Sequence, residues 1–399
     1  MHPSESIWGT KSKSLAEKKI ILGVTGSIAA VESLEIAREL IRHGAQVRAV
    51  MTPESLKIIT SHTMEFATGQ PVITDIGGQV EHVSLLGDFP DKADMLLIAP
   101  CTANTISKIA AGIDDTPVTT MATTAIGSGV PIMIAPAMHI SMYKHPIIQK
   151  NIKALAELGI EFIDPYIEGK KAKLANVEEI TERVIRRLGP RDFLGKRILV
   201  IGGSSAEPID DMRIITNRGT GETAVQLALA AFERSADVEL WMGRSSVPMP
   251  EFIRTRRFET VGDLLKMVGE IDQDIVLVPA ALSDYTVEKT DGKIPSDKEE
   301  LVLYLKRAPK VLESIRKKKC VLFGFKAESN VTADELATKA RSRMIDLELD
   351  GIIANDLGDV SSGMTKVTII TKKGVTCTVA GSKKEVAHRI LDEILRYIA

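Results

Sequence analysis

The chain has 399 residues, 44% of them apolar and 4% aromatic, with 51 Lys and Arg against 53 Asp and Glu. That length predicts two domains, each burying its own core, and a formal net charge of −2 gives no field that favours nucleic acid or a membrane surface. Three scattered cysteines, Cys101, Cys320 and Cys377, argue against a disulfide framework or a zinc cluster and suit a reducing compartment. The stretch from Met1 to Lys19 is polar, without a signal-like apolar run, and nowhere does the chain reach the roughly 18 to 20 apolar residues of a membrane span. The expectation is a cytoplasmic protein.

In chain order, Lys19 to Val24 reads as a buried strand and Ile28 to Arg42 as a helix. Gln46 to Met51, Asp94 to Ala99 and Pro131 to Ala135 are further strands; Lys144 to Leu158 and Asn176 to Leu188 are helices. The last of these opens on Asn176-x-x-Glu179, a variant of the capping box. Leu188 to Asp192 is a turn-rich link, and the pattern then restarts. Arg197 to Ile201, Asp237 to Met242, Ile275 to Val278 and Val321 to Phe325 are strands, with Thr220 to Arg234 a helix among them. Capping boxes at Thr332-x-x-Glu335 and Ser382-x-x-Glu385 open two more helices. Between them a strand ends at Ala354-Asn355-Asp356, and Val367 to Thr371 with Val375 to Val379 reads as a hairpin. Short apolar strands alternating with helices predict an α/β protein of two doubly wound, Rossmann-like domains with mostly parallel sheets. The boundary is expected near residue 190, giving domains 1–190 and 191–399.

Three strand ends in the first half carry small polar residues. Val24 to Ala30 makes a strand-to-helix turn in which Gly26 permits close backbone approach and Ser27 adds a hydroxyl; such a turn can bind phosphate, or simply connect the two elements. Ala99 to Lys108, with Thr102, Ala103, Asn104 and Thr105, and Pro136 to Tyr143 follow two more strands. Open α/β sheets bind ligands at that edge. His82 lies between a Gly-rich loop and an apolar segment, where a structural role is the commoner one for a lone histidine. Gly23 to Ala30, His82-Val83-Ser84-Leu85, Ala99 to Lys108, Ala111-Gly112-x-x-Asp115 and Pro136-Ala137-Met138, taken together and in this order, resemble the homo-oligomeric flavin-containing cysteine decarboxylases, and among them the phosphopantothenoylcysteine decarboxylase branch. The resemblance covers nearly all of the first half and implies a flavodoxin-like flavoprotein domain. It implies FMN held by Gly26, Ser27, Thr102, Ala103, Asn104, Thr105 and Asp115, with His82 catalytic. Flavin would take two electrons from a substrate thiol, give the departing carboxylate an electron sink, and return the electrons afterwards.

The second half has Gly202-Gly203 after its first strand, then Glu207-x-Ile209-Asp210, Arg213 and Asn217 ahead of a Gly-rich helix entry. That entry lacks the Lys-Ser/Thr ending of a P-loop. Ala280-Ala281-x-x-Asp284-Tyr285, Lys293, Pro309-Lys310, Gly324-Phe325 and Asn355-Asp356 follow, with Lys339 and Arg343 four apart on one helix face. Alone, that pair reads as a solvated basic stripe. The ordered set resembles the phosphopantothenate–cysteine ligases, and a decarboxylase followed by a ligase in one chain is itself a family arrangement, coenzyme A biosynthesis being its setting. The resemblance implies that 4′-phosphopantothenate is activated by CTP as an acyl-cytidylate and then captured by cysteine, with Mg²⁺ on the phosphates. Ala280, Ala281, Asp284, Lys293, Pro309, Lys310, Phe325, Lys339 and Arg343 would hold the nucleotide, and Asn217 the acyl intermediate. It also implies trimers of the flavin domain and dimers of the ligase domain, combined into a dodecamer.

The chain departs from the family patterns in several places, and the first two departures match its archaeal branch. His139 stands where the Pro-Ala-Met-Asn motif has Asn; it can still hydrogen-bond a substrate carboxylate, now with a pH-dependent charge, and is counted as catalytic. Pro165 to Ala175, the counterpart of a flap that supplies a cysteine proton donor, has no cysteine. Lys293-Ile294-Pro295-Ser296 keeps one lysine of a Lys-x-Lys-Lys pattern, and Arg343 replaces a lysine. The competing expectation is a regulatory binding protein on the flavin fold that keeps only the ligase activity, or neither.

Overall fold

The computed structural model describes residues 2–295, 299–359, 363–374 and 376–399. Ser296 and Val375 of the motifs above lie outside them. The chain forms two compact units, Met1–Gly189 and Pro190–Ala399.

In the first unit the main sheet has five parallel strands, in the order Gln46–Met51, Lys19–Val24, Met95–Cys101, Ile132–Pro136, Glu161–Phe162. Numbered along the chain this is 2-1-3-4-5, the flavodoxin-like winding. Alternate residues of each strand serve opposite faces, as a pleated backbone requires. Leu22, Val24, Leu97, Ala99, Met133 and Ala135 pack against Ile36, Ala37 and Leu40 of helix Ser33–Arg42 and Ile180 and Val184 of helix Val177–Leu188. Ile21, Leu96, Ile98 and Ile134 meet Ile106, Val118, Met121 and Leu155 from three helices on the other face.

The second unit repeats the plan with an addition. Six parallel strands run Arg254–Arg257, Asp237–Met242, Arg197–Gly202, Ile275–Val278, Val321–Glu328, Gly351–Asp356, and an antiparallel pair, Met364–Thr371 and Thr376–Ser382, extends the last edge. Among the parallel strands the order is 3-2-1-4-5-6, that of dinucleotide-binding folds. Helices Glu222–Glu233 and Lys383–Ile398 cover one face. Val261–Met267, Val311–Arg316 and Ala333–Asp346 cover the other. Both boxes at Thr332/Glu335 and Ser382/Glu385 form reciprocally.

Several elements differ from the sequence reading. The first helix begins as a 3₁₀ turn, Ile28–Glu32, because Ser27 caps Ala29 and the Ser33 hydroxyl is turned to the Ala99 carbonyl at 3.0 Å. The helix expected from Lys144 starts at Pro146, a favourable first helical residue, behind a His145 cap. Asn176 caps Glu179 as expected, but the Glu179 carboxylate bonds forward to Arg183 instead of back to the cap. Helix Pro117–Ser128 was not expected at all: Thr116 and Thr119 form its capping box with a threonine where the pattern has Glu or Gln.

The amino-terminal segment is tied on by backbone hydrogen bonds to residues 41–43 and by the Glu39 carboxylate. Glu39 is nearly buried and meets Lys11, Arg42 and His43. Burial alone would raise its pKa; the hydrogen bonds from His43, Lys11 and Arg42 outweigh burial and hold it down to about 2, from an ordinary 4.5. A depressed carboxylate stabilises the fold above its unfolded pKa, and that contribution fades as pH falls toward 2. Glu39→Gln is therefore expected to cost about 1–3 kcal/mol at neutral pH. In denaturant unfolding at stepped pH, the gap from the parent should close between about pH 5 and 2; a gap independent of pH would refute this account.

Candidate functional sites

The crevice of the first unit is assembled by bonds between strand ends. Thr25, almost wholly buried, donates its hydroxyl to the Pro100 carbonyl at 2.9 Å and accepts the Thr102 amide at 3.0 Å. This joins the loop of Gly26 and Ser27 to that of Thr102, Ala103, Asn104 and Thr105. Thr102 then caps helix Ala103–Ala110, its oxygen taking the Thr105 amide at 3.2 Å and lying 3.1 Å from the Thr105 hydroxyl. The Ala137 amide donates to the Cys101 carbonyl at 3.0 Å, bringing in the third strand end. Asp115 pairs with Lys108 of the same helix.

Gly26 has a tighter reason than ligand approach. A Cβ there would lie 2.5 Å from that of Glu54, so the position must be glycine for the two loops to pass. The amides of Gly26 and Ile28 have no acceptor among the described residues, which leaves an anion-binding start to the turn.

His139 and the flap form one unit. Met138–His139 pairs antiparallel with Lys171–Lys173, which pairs with Tyr166–Glu168. His139 caps the turn Ile140–Tyr143, its Nδ1 accepting the Ser141 amide at 3.3 Å. The proton of the neutral ring is thereby placed on Nε2. An Asn side chain could make the same cap, which explains the exchange between the two residue types.

His82 sits apart on the short helix Glu81–Leu86, half-buried, and its Nδ1 is buried without a hydrogen-bond partner among the described residues. No hydrogen bond joins it to the three strand ends. Burial pushes the Glu32 carboxyl up against the pull of Lys173, and pushes the Cys101 thiol far up, so that thiol is inert. Hydrogen bonding to Lys173 holds the flap carboxyl of Glu168 down and ionised. A cavity of about 640 Å³ lies at the opposite edge of the sheet, among Trp8, Lys19, Gln46, Arg48 and Asp91; it contains none of the candidate residues.

In the second unit the sequence-predicted residues form two neighbouring groups. Gly203, at φ +74°, would bring a Cβ within 2.6 Å of the Arg244 carbonyl. Its own carbonyl accepts the Ala281 amide at 2.8 Å. The Ala281 carbonyl takes the Ser205 amide at 3.3 Å and Nδ2 of Asn217 at 3.0 Å. Asn217 and the Ala280-Ala281 strand end thus meet directly.

Three residues further on, Asp284 pairs with Lys310, and that hydrogen bond, with the charges of Lys310, Arg343 and Lys326, holds its carboxyl low. Glu328 receives Lys326 at 2.8 Å and Lys339 at 3.0 Å. Arg343 lies one turn beyond Lys339 on helix Ala333–Asp346, with its Nε buried and unpartnered among the described residues. Phe325 precedes Lys326 on the same strand. Asp284, Lys310, Lys339 and Arg343 therefore share one charged crevice, whereas Phe325 faces the other side of the sheet and packs against the core beneath helices Glu222–Glu233 and Lys383–Ile398. Pro309 lies exposed beside Lys310, and Lys293 stands on an exposed loop.

Thr25, Ser205, Lys326 and Glu328 were not singled out from the sequence. The signal for Lys326 and Glu328 was their place at the end of a parallel strand, two residues apart and so on one face.

The Flavoprotein family matches residues 9–189, and the DNA/pantothenate metabolism flavoprotein C-terminal domain matches residues 193–398. "Coenzyme A biosynthesis bifunctional protein CoaBC" of Thermococcus kodakarensis is 46% identical, over 99% of this chain and 99% of that protein. The chain belongs to this bifunctional family. The Methanocaldococcus jannaschii protein of the same name is 41% identical over 100% of this chain and 98% of its own. A solved structure, the DNA/pantothenate metabolism flavoprotein from Streptococcus pneumoniae, shares 28% identity over 51% of this chain and 100% of that chain, with a TM-score of 0.47. Membership makes the chain a bifunctional enzyme of coenzyme A biosynthesis, with a flavoprotein half followed by a ligase half. No helix among the described residues is long and apolar enough to cross a membrane.

The Thr25 link is testable by itself. Thr25→Val keeps the shape and removes both hydrogen bonds, leaving the Thr102 amide unpaired, and should cost about 1–3 kcal/mol in denaturant unfolding. An unchanged stability would show that the link is not what joins the two loops.

Proposed function

We propose that the second unit joins L-cysteine to 4′-phosphopantothenate with CTP, and that the first decarboxylates the product to 4′-phosphopantetheine. The domains are residues 1–190 and 191–399. The observation that carries the reading is the match along the whole length to a bifunctional relative, flavoprotein half first.

Ligation needs activation because a free carboxylate is a poor acceptor for an amine. The phosphopantothenate carboxylate attacks the α-phosphorus and pyrophosphate leaves. Cysteine nitrogen then attacks the acyl carbonyl, and cytidine monophosphate departs. Ala280 and Ala281 let the nucleotide approach the backbone; Asp284, Pro309 and Lys310 surround it. Lys293, Lys339 and Arg343 offset charge on the phosphates, the buried Nε of Arg343 being a donor already desolvated for an anion. Asn217, held at the Ala281 carbonyl, donates to the acyl intermediate. Among the described residues no group of three His, Cys, Asp or Glu side chains could hold a metal. We place Mg²⁺ on the triphosphate, since this ion is commonly held by substrate phosphates with one or two carboxylates and water.

In the first unit Gly26 and Ser27 take the phosphate of FMN, and Thr102, Ala103, Asn104, Thr105 and Asp115 border the cofactor. The free amides of Gly26 and Ile28 and the unpartnered His82 Nδ1 fit a site completed by a ligand. Bound FMN supplies a two-electron sink that makes loss of carbon dioxide possible and returns the electrons to the substrate. His82 accepts the thiol proton. His139 donates an Nε2–H hydrogen bond to the substrate carboxylate and holds the carboxylate in place until carbon dioxide leaves. Glu168, ionised against Lys173, is unsuited to return a proton to the product.

The assembly we infer is trimeric through the flavin unit and dimeric through the ligase unit, up to a dodecamer, in the cytoplasm; three widely separated thiols suit that compartment.

Mass analysis of products from phosphopantothenate, cysteine, Mg²⁺ and CTP or ATP tests the scheme. The parent should yield 4′-phosphopantetheine and carbon dioxide. His82→Asn should stop at the ligated acid, with decarboxylation down at least about 100-fold; unchanged carbon dioxide release would remove His82 from the mechanism. Asn217→Asp should still release pyrophosphate but form little amide, and normal ligation would refute its role. His139→Ala should raise the KM for the acid more than it lowers kcat.

A further inference from the structure

The Lys293 loop is held in a way that its exposure does not suggest. Residues 289–294 run alongside the turn 209–213, and every second amide is caught. The Thr290 amide donates to the Ile209 carbonyl at 2.9 Å, the Gly292 amide to Asp211 Oδ2 at 3.1 Å, and the Ile294 amide to Asp210 Oδ2 at 3.0 Å. In return the Asp211 amide donates to the Gly292 carbonyl at 3.2 Å, and Lys289 pairs with Asp211 at 2.6 Å.

Asp210 is the centre of this arrangement. It is 2% exposed, and it accepts four hydrogen bonds from three residues. Oδ1 takes the Met212 amide at 2.8 Å and the Arg213 amide at 2.6 Å; Oδ2 takes Arg213 Nη1 at 2.9 Å and the Ile294 amide. The same Arg213 Nη1 donates to the Ile294 carbonyl at 3.2 Å. Both sides of residue 294 are therefore gripped, one by the buried carboxylate and one by the guanidinium that this carboxylate orients. Lys293 lies between these two anchored amides, those of Gly292 and Ile294, and is itself exposed.

We propose that Asp210 is a positioning residue for nucleotide activation: with Arg213 it clamps the backbone at Ile294 and so presents the Lys293 ammonium to the triphosphate. The inference rests on the ligase reading above. Where the family pattern has three lysines this chain has one, followed by Ile294 and Pro295, so the pattern's other two lysine positions offer no substitute if Lys293 is misplaced. A long side chain that must be ordered as the nucleotide binds loses entropy; a fixed backbone reduces what remains to be lost.

A mutant cycle with Asp210→Asn, Lys293→Ala and the double variant tests this, reading pyrophosphate release from CTP and phosphopantothenate in the full chain. Asp210→Asn keeps the size but weakens the grip on the Ile294 amide and Arg213. In the parent it should lower kcat/KM for CTP by about 10- to 100-fold, mostly through KM, with the KM for cysteine unmoved. In the Lys293→Ala background it should cost less than about twofold, because its effect has already been removed. Equal losses in both backgrounds, no loss in either, or a fully active Lys293→Ala would each overturn the proposal. If Asp210→Asn does not fold, Arg213→Lys carries the same cycle, since it keeps the charge beside Asp210 but shortens the reach to Ile294. A parent chain that releases no pyrophosphate with any nucleotide would sink the ligase reading; an active parent with independent variants would sink the clamp alone.

Discussion

A parallel sheet covered by helices on both faces leaves little of itself for chemistry. Its faces are sealed in hydrocarbon, so ligands must be met where the strands end and the chain turns into helices. Both units obey this constraint, and their candidate sites at the strand ends depend on how those ends are stitched. In the first unit the stitch is the Thr25 hydroxyl, which bonds to the end of strand Met95–Cys101 on one side and to its following loop on the other. In the second it is the Ala281 backbone, which bonds to Gly203, Ser205 and Asn217.

The two edges then diverge in character. The flavin crevice is built from small, neutral donors and unspent amides, suited to a bound cofactor that carries the difficult step. The two candidate histidines differ in kind: His139 has a ring nitrogen committed to a cap, whereas His82, on its separate helix, keeps a buried nitrogen with no partner among the described residues. The ligase crevice is a lattice of opposed charges, with Lys310 on Asp284 and with Lys326 and Lys339 on Glu328. Cations held by carboxylates are already oriented and partly desolvated, as the proposed binding of a triphosphate there would require. Lys293 differs: it is exposed and has no carboxylate partner among the described residues, and in our proposal it is placed by the backbone that carries it.

Much of this was legible from the sequence because the buried parallel strands are short, mostly apolar segments, some unbroken and some with polar residues alternating near the start. Lys19–Val24, Gln46–Met51, Asp237–Met242 and Ile275–Val278 are observed with the limits the pattern predicts. The elements that escaped lack that signal. Pro117–Ser128 is rich in threonine, a poor helix former, and owes its helix to the box at Thr116 and to burial of Val118, Met121 and Ala122. Arg254–Arg257 is a charged edge strand, and Glu161–Phe162 is two residues long. The motif residues at strand ends were found because glycines, alanines and small hydroxyls cluster there. The ion-pair partners were not, since Lys326 and Glu328 acquire meaning only when helix Ala333–Asp346 packs beside their strand. Nor does anything local to Asp210 announce that it holds a loop about 80 residues further along, a pairing set by the tertiary fold.

The central claim is that the carboxyl edge of the first sheet is a flavin site. Its most direct test is the visible absorption spectrum of the purified chain, followed by titration of the flavin-free protein with FMN. The account predicts yellow protein that takes up FMN in a stoichiometric ratio, with uptake weakened by a bulky substitution at Ser27. A colourless chain that binds no FMN at any concentration would contradict it.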